Sequence, residues 1–104
     1  MKARAFVRVT LYMAIKRIEC AITGRVQMVM FRDFANRNAK KLGLAGWVKN
    51  TSDGAVAVTA EGNEQRLQEF IQRLRRGPLL ARVEDIVVSW KDGTGEFGDF
   101  HIIY

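Results

Sequence analysis

Apolar and polar residues alternate along the chain from position 18 onward. The apolar positions of this segment are Ile18, Cys20, Ile22 and Val26. Charged, polar or small residues fill the positions between them. A period of two is typical of a strand that buries one face, so this segment is predicted to be the first β-strand. It runs into a turn region over residues 24–30.

The apolar spacing then changes to three and four residues, which places apolar side chains on one face of a helix. The first stripe comprises Phe31, Phe34, Ala35, Ala39 and Leu42, and the second comprises Leu67, Phe70, Ile71 and Leu74. Gly43 is suited to end the first helix. Asn63 is a good N-cap for the second helix, and Gly77-Pro78 follows its end. Two helices are therefore predicted.

Four further segments have the composition of strands: 46–50, 55–61, 83–91 and 100–104. Asp53-Gly54 is a strong turn signal between the first two, which are expected to form a hairpin. In the third, Ile86, Val88 and Trp90 fall at every second position and are expected to point inward.

The resulting order is β-α-β-β-α-β, with a short extra strand at the C-terminus. This split βαβ arrangement predicts a ferredoxin-like α+β fold, a two-layer sandwich in which an antiparallel sheet carries both helices on one face. Right-handed crossovers are expected in its β-α-β halves. Because many unrelated functions use this fold, the fold alone does not decide the activity.

The length of 104 residues corresponds to one domain. Residues 1–16 are interpreted as an N-terminal extension, and residues 17–104 as the domain itself, for which Met13 would be a plausible start. No apolar run is long enough to span a membrane, and no membrane association is expected. Cys20 is the only cysteine, which excludes an internal disulfide and favours the reducing cytoplasm.

The chain carries 17 Lys and Arg residues against 11 acidic residues, a formal net charge of +6. Such a surplus suits an anionic partner, whether a nucleic acid, a membrane surface or a small phosphate ester. A solvated basic surface is the alternative, because Lys2, Arg4 and Arg8 in the predicted extension supply three of the charges. His101 is the only histidine, so the cysteine and histidine cluster of a zinc site is absent, and no metal or other cofactor is expected.

The turn region before the first helix is the best candidate for a site. A loop that enters a helix presents free backbone N–H groups, which favour an anion together with the helix dipole. Arg32 falls in the first helical turn, where a cation is unfavourable unless an anion lies beside it. The alternative is a surface arginine that pairs with Asp33. Asn50, taken by itself, is typical of a residue that opens a turn.

Residues 24–32, Gly-Arg-Val-Gln-Met-Val-Met-Phe-Arg, resemble the acylphosphatase signature G-x-V-Q-G-V-x-F-R. Residues 43–50, Gly-Leu-Ala-Gly-Trp-Val-Lys-Asn, resemble its second segment, G-L-x-G-W-V-x-N. Further matches are Asp53-Gly54, Ala60-Glu61-Gly62 and Gly77-Pro78. The resemblance covers residues 16–104, and the predicted fold agrees with it.

This resemblance implies hydrolysis of acyl phosphates to a carboxylate and inorganic phosphate, without a metal and without a covalent enzyme intermediate. Arg32 would hold the phosphate oxygens, and Asn50 would orient the attacking water. The phosphate would also be bound by backbone amides of Gln27, Met28, Val29, Met30 and Phe31. The expected partner is therefore a small acyl phosphate or inorganic phosphate, bound by a monomer.

Met28 departs from the family pattern, which has glycine at that position. Glycine adopts positive φ without cost and lets a phosphate approach the backbone closely. A catalytically impaired domain that binds an anion or a partner is therefore the alternative to an active, if slowed, enzyme. A backbone at Met28 that suits any residue would make the change harmless. Met30 is of less concern because that family position accepts varied side chains, but two methionines in the loop are also compatible with a reshaped loop.

A nucleic-acid-binding module is a third possibility, supported by the net charge. An RNA-binding sheet of this shape needs exposed aromatic residues on its central strands. Trp47 occupies a family position and Trp90 is predicted to point inward, so no specific nucleic-acid binding is expected.

Overall fold

The computed structural model describes residues 15–104. Most of the predicted extension, including the suggested start at Met13, lies outside the described residues. The first strand begins at Ile15, so Ile15 and Lys16 belong to it. The division of the chain after residue 16 stays a prediction.

The elements follow one another in the predicted order. They are β1 (Ile15–Arg25), α1 (Phe31–Lys41), β2 (Ala45–Asn50), β3 (Val56–Asn63), α2 (Glu64–Arg76), β4 (Arg82–Asp92) and β5 (Phe100–Ile103). The predicted N-cap of α2 is confirmed, because the side chain of Asn63 accepts a hydrogen bond from the Arg66 amide at 2.8 Å. The Asp53-Gly54 turn joins β2 and β3 as an antiparallel hairpin.

The sheet has the strand order β4-β1-β3-β2-β5. The first four strands are antiparallel neighbours, as predicted. β5 differs, because it pairs with β2 in the parallel direction and makes the sheet mixed. The chain leaves β4 at one edge and crosses to the opposite edge over residues 93–99 before β5 begins. Parallel pairing requires such a crossover, and alternation within β5 carries no information about it.

Glu61 holds this crossing segment in place. Its carboxylate accepts hydrogen bonds from the Thr94 amide at 3.0 Å, the Thr94 hydroxyl at 2.9 Å and the Gly95 amide at 2.9 Å. Arg17 approaches the same carboxylate at 3.4 Å. Burial alone would raise the pKa of Glu61, but these hydrogen bonds and the Arg17 charge together hold that pKa below its ordinary value.

Both helices pack on one face of the sheet. The buried helical residues are Phe31, Ala35 and Ala39 from α1, and Leu67, Phe70 and Leu74 from α2. They meet strand residues that include Ile18, Ile22, Val48 and Val58. Phe70 packs edge-on against Phe100, with ring centroids 5.9 Å apart. The two predicted stripes are therefore the core-facing surfaces, with Phe34, Leu42 and Ile71 at their margins.

Trp90 points to the helix-facing side of the sheet, as predicted, but it is only partly buried. Trp90 lies opposite Ile18 in the β1–β4 ladder and so shares the helix-facing side of the sheet. β4 is an edge strand, however, and 42% of the Trp90 surface is exposed. Alternation indicates the face of a strand but not its distance from the edge of the sheet. Trp90 does not supply the central, open-face aromatic that an RNA-binding sheet needs.

Candidate functional site

The loop between β1 and α1 begins at a point where only glycine fits. Gly24 has a φ of +121° and follows a bulge in the β1–β4 ladder. A Cβ atom at this position would collide with the backbone oxygen of Arg82. The glycine therefore allows β1 to pass close to β4 and to direct the following loop toward the N-terminus of α1.

Two methionines in this loop adopt the left-handed conformation. Met28 has a φ of 61° and Met30 a φ of 62°, and within residues 15–104 they are the non-glycine residues with positive φ. The positive φ expected from the family glycine at position 28 is present. Met30, which the family pattern made of less concern than Met28, has a left-handed backbone as well. Gln27 before Met28 and Val29 between the two methionines lack positive φ, so the handedness alternates along the loop.

Alternating handedness turns successive backbone N–H groups toward one side and forms an anion-binding concavity. No backbone N–H group of residues 27–31 donates to an acceptor within residues 15–104. The side chain of Met30, which caps α1, makes no capping hydrogen bond. The positive end of the α1 dipole adds to these free donors. We call residues 27–31 with these amide groups the anion loop.

Arg32 extends from the first turn of α1 into a cleft beside the anion loop. The alternative of an Arg32–Asp33 pair is not found, because Asp33 binds Arg37 at 3.0 Å. Within the described part of the chain, no carboxylate lies within salt-bridge distance of Arg32. Its guanidinium carbon lies 5.0 Å from the centroid of the Tyr104 ring instead. The guanidinium is therefore available to an anion held by the loop.

Asn50 reaches the same cleft from the end of β2. It lies two residues after Val48, which is fully buried under the helices, so both side chains point to the helix-facing side. The side-chain oxygen of Asn50 is buried and has no hydrogen-bond partner among the described residues. A buried acceptor of this kind is costly unless it binds a donor, and a water molecule in the cleft would supply one.

Gln27 links the loop to the hairpin that carries Asn50. Its side-chain amide donates hydrogen bonds of 2.8 Å to the backbone oxygens of both Thr51 and Ala55. The sequence motif contains Gln27, but only its backbone amide was expected to function. The signal that could have indicated the second role is the short turn from Thr51 to Ala55 directly after Asn50, whose backbone oxygens accept these bonds.

The cleft has a volume of about 540 Å³. It is lined by Val26, Met28, Met30, Phe31, Arg32, Asp33, Asn50, Ile102 and Tyr104. Ile102 pairs with Val48 across the parallel β2–β5 ladder, which places Tyr104 two residues further along the same face. The unpredicted parallel pairing of β5 thus supplies one wall of the site. The backbone amides of Gln27, Val29 and Phe31 lie in the loop that supplies the opposite wall.

A family model described as Acylphosphatase matches residues 18–102. The chain belongs to the acylphosphatase family. An acylphosphatase of Salinibacter ruber is 45% identical over 87 residues, which cover 84% of this chain and 92% of that protein. One of Dehalococcoides mccartyi is 44% identical over 84% of this chain and 97% of its own length. The crystal structure of acylphosphatase from Bacillus subtilis matches with a TM-score of 0.83 and 39% identity, over 86% of this chain and 99% of the other.

These relatives confirm the prediction of an acylphosphatase, an enzyme that hydrolyses acyl phosphates. They do not favour the alternative of an impaired binding domain. The ferredoxin-like fold is likewise confirmed. No helix within residues 15–104 is both long and apolar enough to cross a membrane.

Three further features bear on the chemistry available to this acylphosphatase. Cys20 is buried, and loss of solvation raises the pKa of its thiol to about 12, so it is not a thiolate nucleophile near neutral pH. Among residues 15–104, no three histidine, cysteine or acidic side chains lie close enough together to hold a metal ion. Arg25 and Arg82 stand opposite each other beside the anion loop and add positive potential there.

Proposed function

We propose that the cleft between the anion loop and β5 is the active site of this acylphosphatase. The phosphoryl group binds to the backbone amides of residues 27–31 and to the guanidinium of Arg32. The observation that carries this proposal is the coincidence of free amides, a free arginine and an unpartnered Asn50 oxygen around one cleft. An arginine fork and convergent N–H groups match the oxygens of a phosphoryl group.

Asn50 orients the water that attacks. The water oxygen forms a new bond to phosphorus, and the bond between phosphorus and the bridging acyl oxygen breaks. The electron pair of that bond leaves with the carboxylate, and the proton lost by the water ends on the released phosphate. A carboxylate is a good leaving group, so positioning and charge stabilisation supply most of the rate gain.

Hydrolysis of benzoyl phosphate by the purified chain, without added metal, tests this assignment. We expect clear turnover in the parent and a loss of about 100-fold or more in kcat for Asn50→Ala. Asn63→Ala is the matched control, because Asn63 lies at the far end of β3 from Val56, the neighbour of Asn50. It should lower stability by about 1 kcal/mol through loss of the α2 cap and leave kcat unchanged. Equal activity in Asn50→Ala and the parent would contradict the role of Asn50.

The oligomeric state, the cellular compartment and the cofactor requirement are part of the same proposal. We propose that residues 17–104 act as a monomer on a small acyl phosphate in the cytoplasm, without a metal or other cofactor. The low cysteine content supports the reducing compartment. Light scattering on the purified chain tests the monomer: a mass near twice 11.8 kDa would contradict it.

A further inference from the structure

Three large apolar side chains at the mouth of the cleft are exposed to solvent. Met28 is 99% exposed, Met30 70% and Tyr104 94%. All three line the cleft that holds Arg32 and Asn50. Contiguous exposed apolar surface in a folded protein often marks a place where a ligand binds. The position of this surface, directly around the proposed phosphoryl site, restricts what the ligand can be.

The backbone conformation at the two methionines is one that favours other residue types. Both have positive φ, a conformation that glycine or asparagine adopts at lower cost than methionine. Neither side chain is buried in the core, so core packing does not offset this cost. These side chains therefore do not stabilise the core. Because both line the cleft, they are placed to contact a ligand bound there.

The chemistry of an acyl phosphate connects these observations. The acyl group is joined to the phosphoryl group through a single bridging oxygen, so it must lie immediately beside the phosphoryl group that Arg32 binds. The Tyr104 ring is already in contact with the Arg32 guanidinium. A group attached to the phosphoryl group therefore lies in the cleft whose exposed apolar lining consists of Met28, Met30 and Tyr104.

We infer that Met28, Met30 and Tyr104 form an acyl-binding wall that selects acyl phosphates with a large apolar, preferably aromatic, acyl group. Thioether sulfur makes favourable contacts with aromatic rings, and methionine adapts its shape to irregular apolar ligands. The Tyr104 ring offers a surface for stacking. A short acyl group such as acetyl covers little of this wall and gains less from it. This inference deepens the proposed function and rests on it.

The test compares kcat/KM for benzoyl phosphate with kcat/KM for acetyl phosphate. Met28→Asn and Met30→Asn, combined in one protein, keep a residue that tolerates positive φ and replace two apolar side chains with polar ones. Leu79→Asn combined with Leu80→Asn is the matched control, because these leucines are 97% and 70% exposed and do not line the cleft. Circular dichroism melts establish that each protein is folded.

We expect the ratio of kcat/KM for benzoyl phosphate to kcat/KM for acetyl phosphate to fall at least fivefold in the methionine double variant. In the leucine double variant, this ratio should stay within twofold of the parent value. Because each ratio is compared with that of the parent, the different intrinsic reactivities of the two substrates cancel. An unchanged ratio in a folded, active methionine variant would overturn the acyl-binding wall and leave the proposed function intact. A parent that hydrolyses neither substrate would overturn the proposed function, and this inference with it.

Discussion

Gln27 donates a hydrogen bond of 2.8 Å from its side-chain amide to the backbone oxygen of Thr51, the residue after Asn50. A second bond of the same length reaches Ala55 at the other end of the turn. The anion loop and the β2–β3 hairpin are distant in sequence, and this side chain connects them directly. These bonds therefore fix the distance between the anion loop and the hairpin that carries Asn50.

We predict that Gln27→Glu lowers kcat about tenfold or more. The glutamate has the same length but would place a carboxylate oxygen against two carbonyl oxygens, so both hydrogen bonds are lost and the loop shifts from the hairpin. Steady-state kinetics with benzoyl phosphate measure the effect. Gln72→Glu, on the exposed side of α2, is the control and should behave like the parent. Full activity in Gln27→Glu would mean that the hairpin positions Asn50 unaided.

Arg32 is predicted to be needed for turnover but not for folding. Arg32→Gln should lower kcat/KM by a factor of about 100 to 1,000, because a charged donor to the phosphoryl oxygens is lost. Its thermal midpoint should stay close to that of the parent, since Arg32 forms no salt bridge with a described carboxylate. Arg76→Gln, which removes the same charge from the end of α2, is the control.

Arg32→Lys separates charge from geometry at this position. Lysine keeps the positive charge but lacks the planar fork that binds two phosphoryl oxygens. We expect it to recover a minor part of the activity lost in Arg32→Gln. Near-parental rates in the folded glutamine variant would refute the assignment of Arg32 to the phosphoryl group.

Met28→Gly should stabilise the protein and speed the hydrolysis of acetyl phosphate. The left-handed backbone costs a non-glycine residue about 1–2 kcal/mol, and the greater freedom of glycine in the unfolded chain offsets about 0.5–1 kcal/mol of the gain. Urea unfolding should therefore show a net increase of about 0.5–1 kcal/mol. Relaxation of the anion loop should raise kcat for acetyl phosphate severalfold. A less stable variant would indicate that the Met28 side chain makes contacts that outweigh the strain.

The sequence predicted the layered fold because its patterns are local. The helical stripes, the Asp53-Gly54 turn and the Asn63 cap each depend on a few neighbouring residues, and each was found where expected. Trp90 differs, because its exposure depends on which strand forms the edge of the sheet. The same limit applies to β5, whose alternation does not indicate that it joins β2 in parallel.

The candidate site was predictable only as far as the family signature extends. The signature indicated Arg32, Asn50 and the anion loop, and it indicated positive φ at Met28. It did not indicate the left-handed backbone of Met30, because that family position accepts many side chains. Nor did it indicate Tyr104, which reaches the cleft only through the pairing of β5 with β2. Contacts that depend on sheet topology leave no local pattern.

Glu61 leads to a prediction about acid stability. Hydrogen bonds from Thr94 and Gly95 lower its pKa in the folded state, so the folded protein binds fewer protons than the unfolded chain between the two pKa values. The contribution of Glu61 to stability is thus complete above its unfolded pKa of about 4.3 and is lost as pH falls through the lower folded value. Glu61→Gln should cost about 2 kcal/mol at pH 7, because buried N–H donors lose a charged acceptor.

The difference in unfolding free energy between Glu61→Gln and the parent should therefore shrink as urea titrations move from pH 7 to pH 3. Glu69→Gln, which breaks an exposed pair with Arg73, should cost no more than about 0.5 kcal/mol at any pH. A constant difference between Glu61→Gln and the parent across this range would mean that the loss comes from altered shape or packing. In that case the charge on Glu61 would not be what holds the crossing segment. This segment leads to β5 and places Tyr104 at the cleft.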